Sequence, residues 1–200
     1  MNTASPRLTV IIPCFQARDM LPVQLRSLST QQNAPPFELL IVDNRSTDGL
    51  ADIVAEYRPS LIAAGVTEVR LINAHQEAGA SYARNVGASQ ASTELLVFCD
   101  ADDCVSAWWL SDATALFSQA DAFSGSAIPV AASSFGDNVE ELRALIESPT
   151  RDLPRLRPQE DLAIPILMGG NFGMRRSLYR LFVIEGVDPG AGDPPVSLPR

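Results

Sequence analysis

The sequence contains no lysine; all fifteen of its basic residues are arginine. That absence excludes chemistry built on a lysine amine: the P-loop, Schiff-base catalysis and receiver domains with a lysine switch. Cysteine is scarce. The three present, Cys14, Cys99 and Cys104, form an odd set without metal-ligand spacing and read as free thiols in a reducing compartment. No apolar run approaches the roughly 18 residues that a membrane span needs. Met1 to Arg7 is polar and carries no apolar signal region, so the cytoplasm is the expected location. Basic excess is missing as well. The 24 acids against 15 bases leave a net charge of −9, the wrong sign for a general nucleic-acid binder. No G-x-G-x-x-G follows the first apolar run, which excludes a dinucleotide dehydrogenase.

What is present is an ordinary globular composition, 46% hydrophobic and 20% charged over 200 residues. That length suits a single domain spanning 1–200 with a core of its own. Short β-branched or apolar runs at Leu8–Ile12 (stopped by Pro13), Phe37–Val42, Glu68–Ile72 and Leu95–Cys99 read as buried strands. Between them Met20–Thr30, Leu50–Tyr57, Ser81–Ala91 and Ala107–Gln119 read as helices, the second capped by Asp48 or Thr47. A further strand is expected within Asp121–Ala132, helices at Val139–Ile146 and Arg175–Val183, and an irregular proline-rich loop over Pro149–Pro165. Strands alternating with helices predict an α/β fold with a mostly parallel sheet. Such sheets bind ligands in the crevice at the carboxyl ends of their strands. Polar residues gather at those ends.

Four segments carry candidate chemistry. In Phe98-Cys-Asp-Ala-Asp-Asp103 two carboxylates, Asp100 and Asp102, stand at i and i+2 on a turn after a buried strand. They can meet one hard divalent cation, Mg²⁺ or Mn²⁺, whose shell a diphosphate and waters would complete. The rival reading is a solvated acidic turn in which Asp103 or Ser106 caps the next helix. In Val42-Asp-Asn-Arg-Ser-Thr-Asp-Gly49, Asp43 can accept from a base N–H or a ribose hydroxyl, while Ser46 to Gly49 is turn chemistry. In Gly79-Ala-Ser-Tyr-Ala-Arg-Asn-Val-Gly87, small residues let a helix lie close to the sheet. Arg84 and Asn85 can reach a nucleotide; a surface arginine on a packed helix is the alternative. In Gly169-Gly-Asn-Phe-Gly-Met-Arg-Arg176, glycines before a strand permit close approach to a ligand, or simply make the turn. The single histidine, His75, has no metal-ligating neighbour in sequence and reads as structural.

These segments, in this order and spacing, resemble the family-two glycosyltransferases with a GT-A (Rossmann-like) fold. The resemblance runs from Leu8 to about Asp188 and includes Val10-Ile-Ile-Pro-Cys-Phe-Gln16 at its start. It implies a transferase that moves a sugar from a nucleoside-diphosphate sugar, a UDP-sugar, to an acceptor hydroxyl, with Mn²⁺ or Mg²⁺ and with inversion. It implies that Pro13 and Phe15 border the nucleotide pocket, that Asp43 binds the base or ribose and that Arg84 lies near the base. Asp100 would touch the ribose or a metal-bound water, Asp102 the metal itself, and Gly170 and Asn171 would line the sugar and acceptor side. Acceptors of such enzymes are saccharides or lipid-linked saccharides, which implies peripheral contact at the inner face of a membrane, although no basic amphipathic helix supports that here.

Two departures stand out. Family members often have two acids where this chain has Asp43-Asn44. The family's base comes from a Glu-Asp pair after a Gly-Phe-Asp-like turn, here Gly186-Val-Asp188, and no such pair follows; Glu160-Asp161 precedes the Gly-Asn segment, in the wrong order. Asp188 and Asp193 are the substitute bases, and the C-terminal part reads as incomplete, with an apolar sheet face that a second copy could cover. The alternative to an enzyme is a non-catalytic nucleotide-sugar-binding or interaction protein. A nucleotidyltransferase ranks lower, because Gln16-Ala-Arg-Asp19 lacks the glycines its loop would need.

Overall fold

Four apolar runs become parallel strands, three of them almost wholly buried and the third in chain order, at the sheet edge, only partly so. In β1 (Leu8–Cys14) and β2 (Phe37–Asp43) all seven residues are buried. With β3 (Val66–Asn73) and β4 (Leu95–Cys99) they build the parallel part of a six-stranded sheet, ordered β3-β2-β1-β4-β6-β5. The computed structural model describes residues 5–130, 139–146, 154, 156 and 170–181. Asp188, Asp193 and Glu160-Asp161 lie outside these residues, as does most of the expected 149–165 loop.

The strands face two layers of helices. Leu8, Val10, Ile12 and Cys14 share one core with α1 (Leu21–Ser29), α2 (Leu50–Ala63) and α4 (Trp109–Leu116). Ile11 joins Leu40, Val42 and Phe98 in a second core beneath α3 (Ala80–Gln90). Period-two alternation of side chains thus buries both faces. α3 lies close to the sheet because of Gly87. A Cβ there would stand 2.6 Å from Ile11 Cγ2 and 3.0 Å from Val42 Cγ2. The helix accepts the roughly 1 kcal/mol propensity penalty of glycine in return for that approach.

On the other side of β4 the sheet turns antiparallel. β6 (Asn171–Arg175) pairs with β4 in that sense, and β5 (Ala122–Ser124) pairs with β6. Phe98, Phe172 and Tyr179 stack over this junction, Tyr179 reaching it from the short α6 (Arg176–Tyr179). α5 (Val139–Ile146) packs beside α1, and its buried Arg143 donates to Ser27 O, Thr30 Oγ1 and Val105 O.

Several boundaries differ from expectation. Pro13 does not stop β1, which continues to Cys14. Cys14 O accepts from Asn44 N, so Cys14 faces β2 and the alternation turns Pro13 toward β4. The β1–β4 register has ended there, at Ile11–Phe98, so the missing donor of proline breaks no ladder bond. α2 runs through Pro59 to Ala63, and α4 covers only Trp109–Leu116. The helix expected from Arg175 begins at Arg176, Arg175 being the last residue of β6, and its far end falls outside the described residues. Neither Asp48 nor Thr47 caps α2, whose N-cap is Gly49 at φ +83°; the N-cap residue of α4, Trp108, makes no side-chain cap bond, and Leu110 N in its first turn donates instead to Gln31 Oε1 at 3.1 Å.

Candidate active site

The carboxyl ends of β1 to β4 lie on one edge of the sheet, together with the amino end of the antiparallel β6. The chain order reverses at β1, which has β2 on one side and β4 on the other, so this edge holds a topological switch point. Acids converge on it. Cys14, at the end of β1, has its thiol pushed up first by burial and then by Asp43, Asp48 and Asp100.

β2 ends in Asp43, which is 8% exposed. Its Oδ1 accepts from Ser46 N at 2.9 Å, and its Oδ2 lies 3.0 Å from His75 Nε2. Burial raises the pKa of this carboxyl, but the Ser46 and His75 interactions outweigh burial and hold it below the usual range. Because the folded pKa is lowered, the stabilisation from the carboxylate is present above the unfolded value near 3.9. It is lost as pH falls through the lower folded value. Asp43→Ala is therefore expected to cost about 1.5–3 kcal/mol at pH 7. In thermal melts from pH 7 down to pH 2, the gap from the wild type should narrow in the acid range.

The rest of that segment braces its neighbours. Ser46 Oγ accepts from Gln16 N, and Thr47 pairs with the Gln16 amide. Asp48 Oδ2 accepts from Arg18 N at 2.8 Å, so this acid fastens the β1–α1 loop instead of capping α2. Asn44, 5% exposed, donates from Nδ2 to Ala74 O (2.5 Å) and Glu77 O (2.7 Å) and accepts from Gly79 N (2.8 Å). One donor group meets two carbonyls and one acceptor meets an N–H, which is work for an amide and not for a carboxylate. That accounts for Asn44 standing where an acid was expected.

β4 delivers the acidic turn. Asp100 Oδ1 accepts from Arg84 on α3 at 2.6 Å, and Asp103 Oδ2 accepts from Asp100 N at 3.2 Å. Asp103 therefore braces the turn and caps no helix. Its pKa is pushed up to about 6, by burial first and then by the charges of Asp100 and Asp102, against the Asp100 N–H that favours its ionised form. Asp102 is exposed, with no hydrogen bond or ion pair among the described residues. Gly170 closes in from β6: a Cβ on it would stand 2.6 Å from Asp100 Oδ2 and 3.2 Å from Asp103 Oδ2. Only glycine lets the backbone come so near these carboxylates.

Among the described residues no group of three His, Cys, Asp or Glu side chains forms a ready-made metal cage. Crowded carboxylates offset by one arginine fit a hard cation that brings waters and phosphate oxygens of its own. The structure thus brings Asp100, Asp102, Asp103, Arg84 and Gly170 together at the end of β4, and Asp43 with His75 at the end of β2. Pro13 is buried within β1, and Phe15, 65% exposed, stands just past that strand. Asn171 sits at the same edge but is spent on structure: Trp109 Nε1 donates to its Oδ1, and its Nδ2 donates to Ser126 O.

His75, read along the chain as structural, stands beside a candidate site acid, with its Nε2 3.0 Å from Asp43 Oδ2. Its signal was the sheet order. β2 and β3 are parallel neighbours, so a polar residue just past the end of β3 falls beside the last residue of β2.

Comparison with known proteins gives the family and the fold. A family model described as Glycosyl transferase family 2 matches residues 9–182. The chain is 32% identical over 104 residues, 52% of its length, to "Putative teichuronic acid biosynthesis glycosyltransferase TuaG" of Bacillus subtilis, of which the match covers 38%. The crystal structure of S. aureus TarS 1-349 in complex with UDP-GlcNAc superposes with a TM-score of 0.51 at 28% identity, over 62% of this chain and 37% of that one. The mannosyltransferase PcManGT from Pyrobaculum calidifontis, in complex with GDP-Man and Mn²⁺, covers 94% of this chain and 50% of its own with a TM-score of 0.61; at 23% identity it shows the shared fold. The matches thus span half or less of these relatives' lengths.

Proposed function

The chain belongs to glycosyl transferase family 2, and from that premise we propose that it takes a UDP-sugar as donor and transfers the sugar, with inversion, to an acceptor hydroxyl. The observation that carries this reading is the convergence of Asp43, Asp100 and Asp102 on one strand-end edge. In the reading, Asp43 accepts the N–H of the base. Asp100, held by Arg84, and the exposed Asp102 hold a divalent cation, Mn²⁺ or Mg²⁺. That cation, when bound, supplies charge neutralisation to the leaving diphosphate. Gly170 and Asn171 border the sugar, and Phe15 borders the nucleotide. Asp188 or Asp193 takes the proton of the attacking hydroxyl as general base. Teichuronic acid biosynthesis in the name of TuaG supports an acceptor that is a cell-envelope saccharide or its lipid-linked precursor, reached at the inner face of the membrane. Among the described residues no helix is long and apolar enough to cross a membrane.

Calorimetric titration with UDP, with and without Mn²⁺, tests the reading. Binding that requires the metal is the expected result, followed by release of UDP from a UDP-sugar when acceptor is supplied. Absence of binding to a folded chain overturns it. Metal-dependent binding without turnover on a panel of saccharide acceptors favours the non-catalytic alternative.

A further inference from the structure

The β3–α3 loop is fastened to the end of β2 at every carbonyl from residue 74 to residue 77. Asn44 Nδ2 donates to Ala74 O and Glu77 O. Arg45 Nε donates to His75 O at 2.8 Å and its Nη2 to Gln76 O at 2.5 Å. Ala74 N completes the set by donating to Asp43 O at 2.8 Å. Arg45 does this from φ +70°, a left-handed conformation that a non-glycine residue seldom holds without a reason. The product of all these bonds is the placement of one ring: His75 Nε2 comes to 3.0 Å from Asp43 Oδ2, while nearly half of the His75 side chain faces solvent at the site. Asp43 is held in its ionised form, so it accepts and His75 Nε2 carries the hydrogen.

We propose that His75 is a positioning residue for nucleobase recognition, fixing the plane of the Asp43 carboxylate so that its free lone pairs meet an N–H on the base edge. The inference rests on the reading of Asp43 given above. A carboxylate held from one side, by Ser46 alone, keeps freedom to turn about its Cβ–Cγ bond, because terminal sp³–sp² torsions are soft. A second donor on Oδ2 removes that freedom before the ligand arrives, which lowers the ordering cost of binding. In the reading above the diphosphate meets the cation at the other cluster, around Asp100, so His75 should affect affinity for the nucleoside and leave affinity for a bare diphosphate unchanged.

The test compares Kd for UDP and for inorganic pyrophosphate, both with Mn²⁺, in the wild type, His75→Ala and His75→Gln. His75→Ala is expected to weaken UDP about tenfold, as for loss of one charge-assisted hydrogen bond, with pyrophosphate unchanged. His75→Gln keeps an N–H donor and is expected to recover most of the loss. UDP affinity in His75→Ala equal to the wild type overturns the inference alone, as does an equal loss for both ligands, which marks a merely structural role. A wild-type chain that binds neither ligand overturns the reading of the site and this inference with it.

Discussion

Asp102→Ala is expected to abolish the Mn²⁺-dependent part of UDP binding, a loss on the order of a hundredfold or more, without lowering the melting temperature of the metal-free protein. The size follows from the chemistry. Even residues that only orient metal ligands are worth roughly 10–100-fold in affinity, so loss of a direct ligand costs more. The absence of a stability cost follows from the structure. Asp102 is exposed and has no hydrogen bond among the described residues, and its charge helps push the pKa of Asp103 up to about 6. Removing one of three crowded carboxylates relieves repulsion. Asp100→Ala should behave differently. It also strands Arg84, whose Nε is already buried without a partner and whose Nη2 bonds Asp100. Asp100 is 36% exposed, so the lost pair costs only about 1 kcal/mol, but the cost should be measurable. Calorimetry of UDP with Mn²⁺, paired with metal-free thermal melts, separates the two. Unchanged metal-dependent affinity in Asp102→Ala would remove the metal assignment.

Asn44→Asp restores the second acid common in the family and is nonetheless expected to destabilise this chain by about 2–4 kcal/mol. The buried Ala74 O and the half-buried Glu77 O would lose their donor and face a negative charge, each at roughly 1–3 kcal/mol. The bond from Gly79 N would become charge-assisted and recover part of that. The new carboxylate would also sit beside Asp43. Its repulsion disappears on protonation, so the deficit should shrink between pH 7 and pH 4 in urea unfolding curves. A deficit below about 0.5 kcal/mol at pH 7, the range of ordinary surface substitutions, would show that the loop finds another arrangement.

How much of this could be read along the chain depended on whether the cause was local. Leu95–Cys99 and Val139–Ile146 match their expected bounds, because a short apolar run and an amphipathic stretch each declare themselves. The parallel sheet was legible for the same reason: β1 and β2 are apolar on both faces, as central parallel strands must be. Glu38 is the exception inside β2, Asp43 being its last residue. It is fully buried, and its Oε1 accepts from Thr9 Oγ1 and Ser92 N, partners 29 and 54 residues away. No local pattern reveals such a bond. Asp48 shows a second kind of limit. It stands where a helix cap belongs, yet its partner is Arg18, brought in from the neighbouring strand's loop. The site followed the same division. The acids at the ends of β2 and β4 were visible as polar residues after apolar runs, whereas His75 became visible only once β3 was known to lie beside β2.

The place of β1 in the sheet also governs how the chain reaches its native state. Thr9 pairs with Glu38 on one side and with Leu96 on the other. During synthesis the first pairing becomes available early, and β1, β2 and β3 with their helices can collapse as a unit. The second edge of β1, in a strand whose every residue ends up buried, stays open until Leu95–Cys99 has emerged from the ribosome. Such non-local closure is slow, and an unpaired apolar strand edge is the usual template for mispairing between chains. Between the appearance of Cys14 and that of Cys99, this edge of β1 is therefore expected to be open to mispairing.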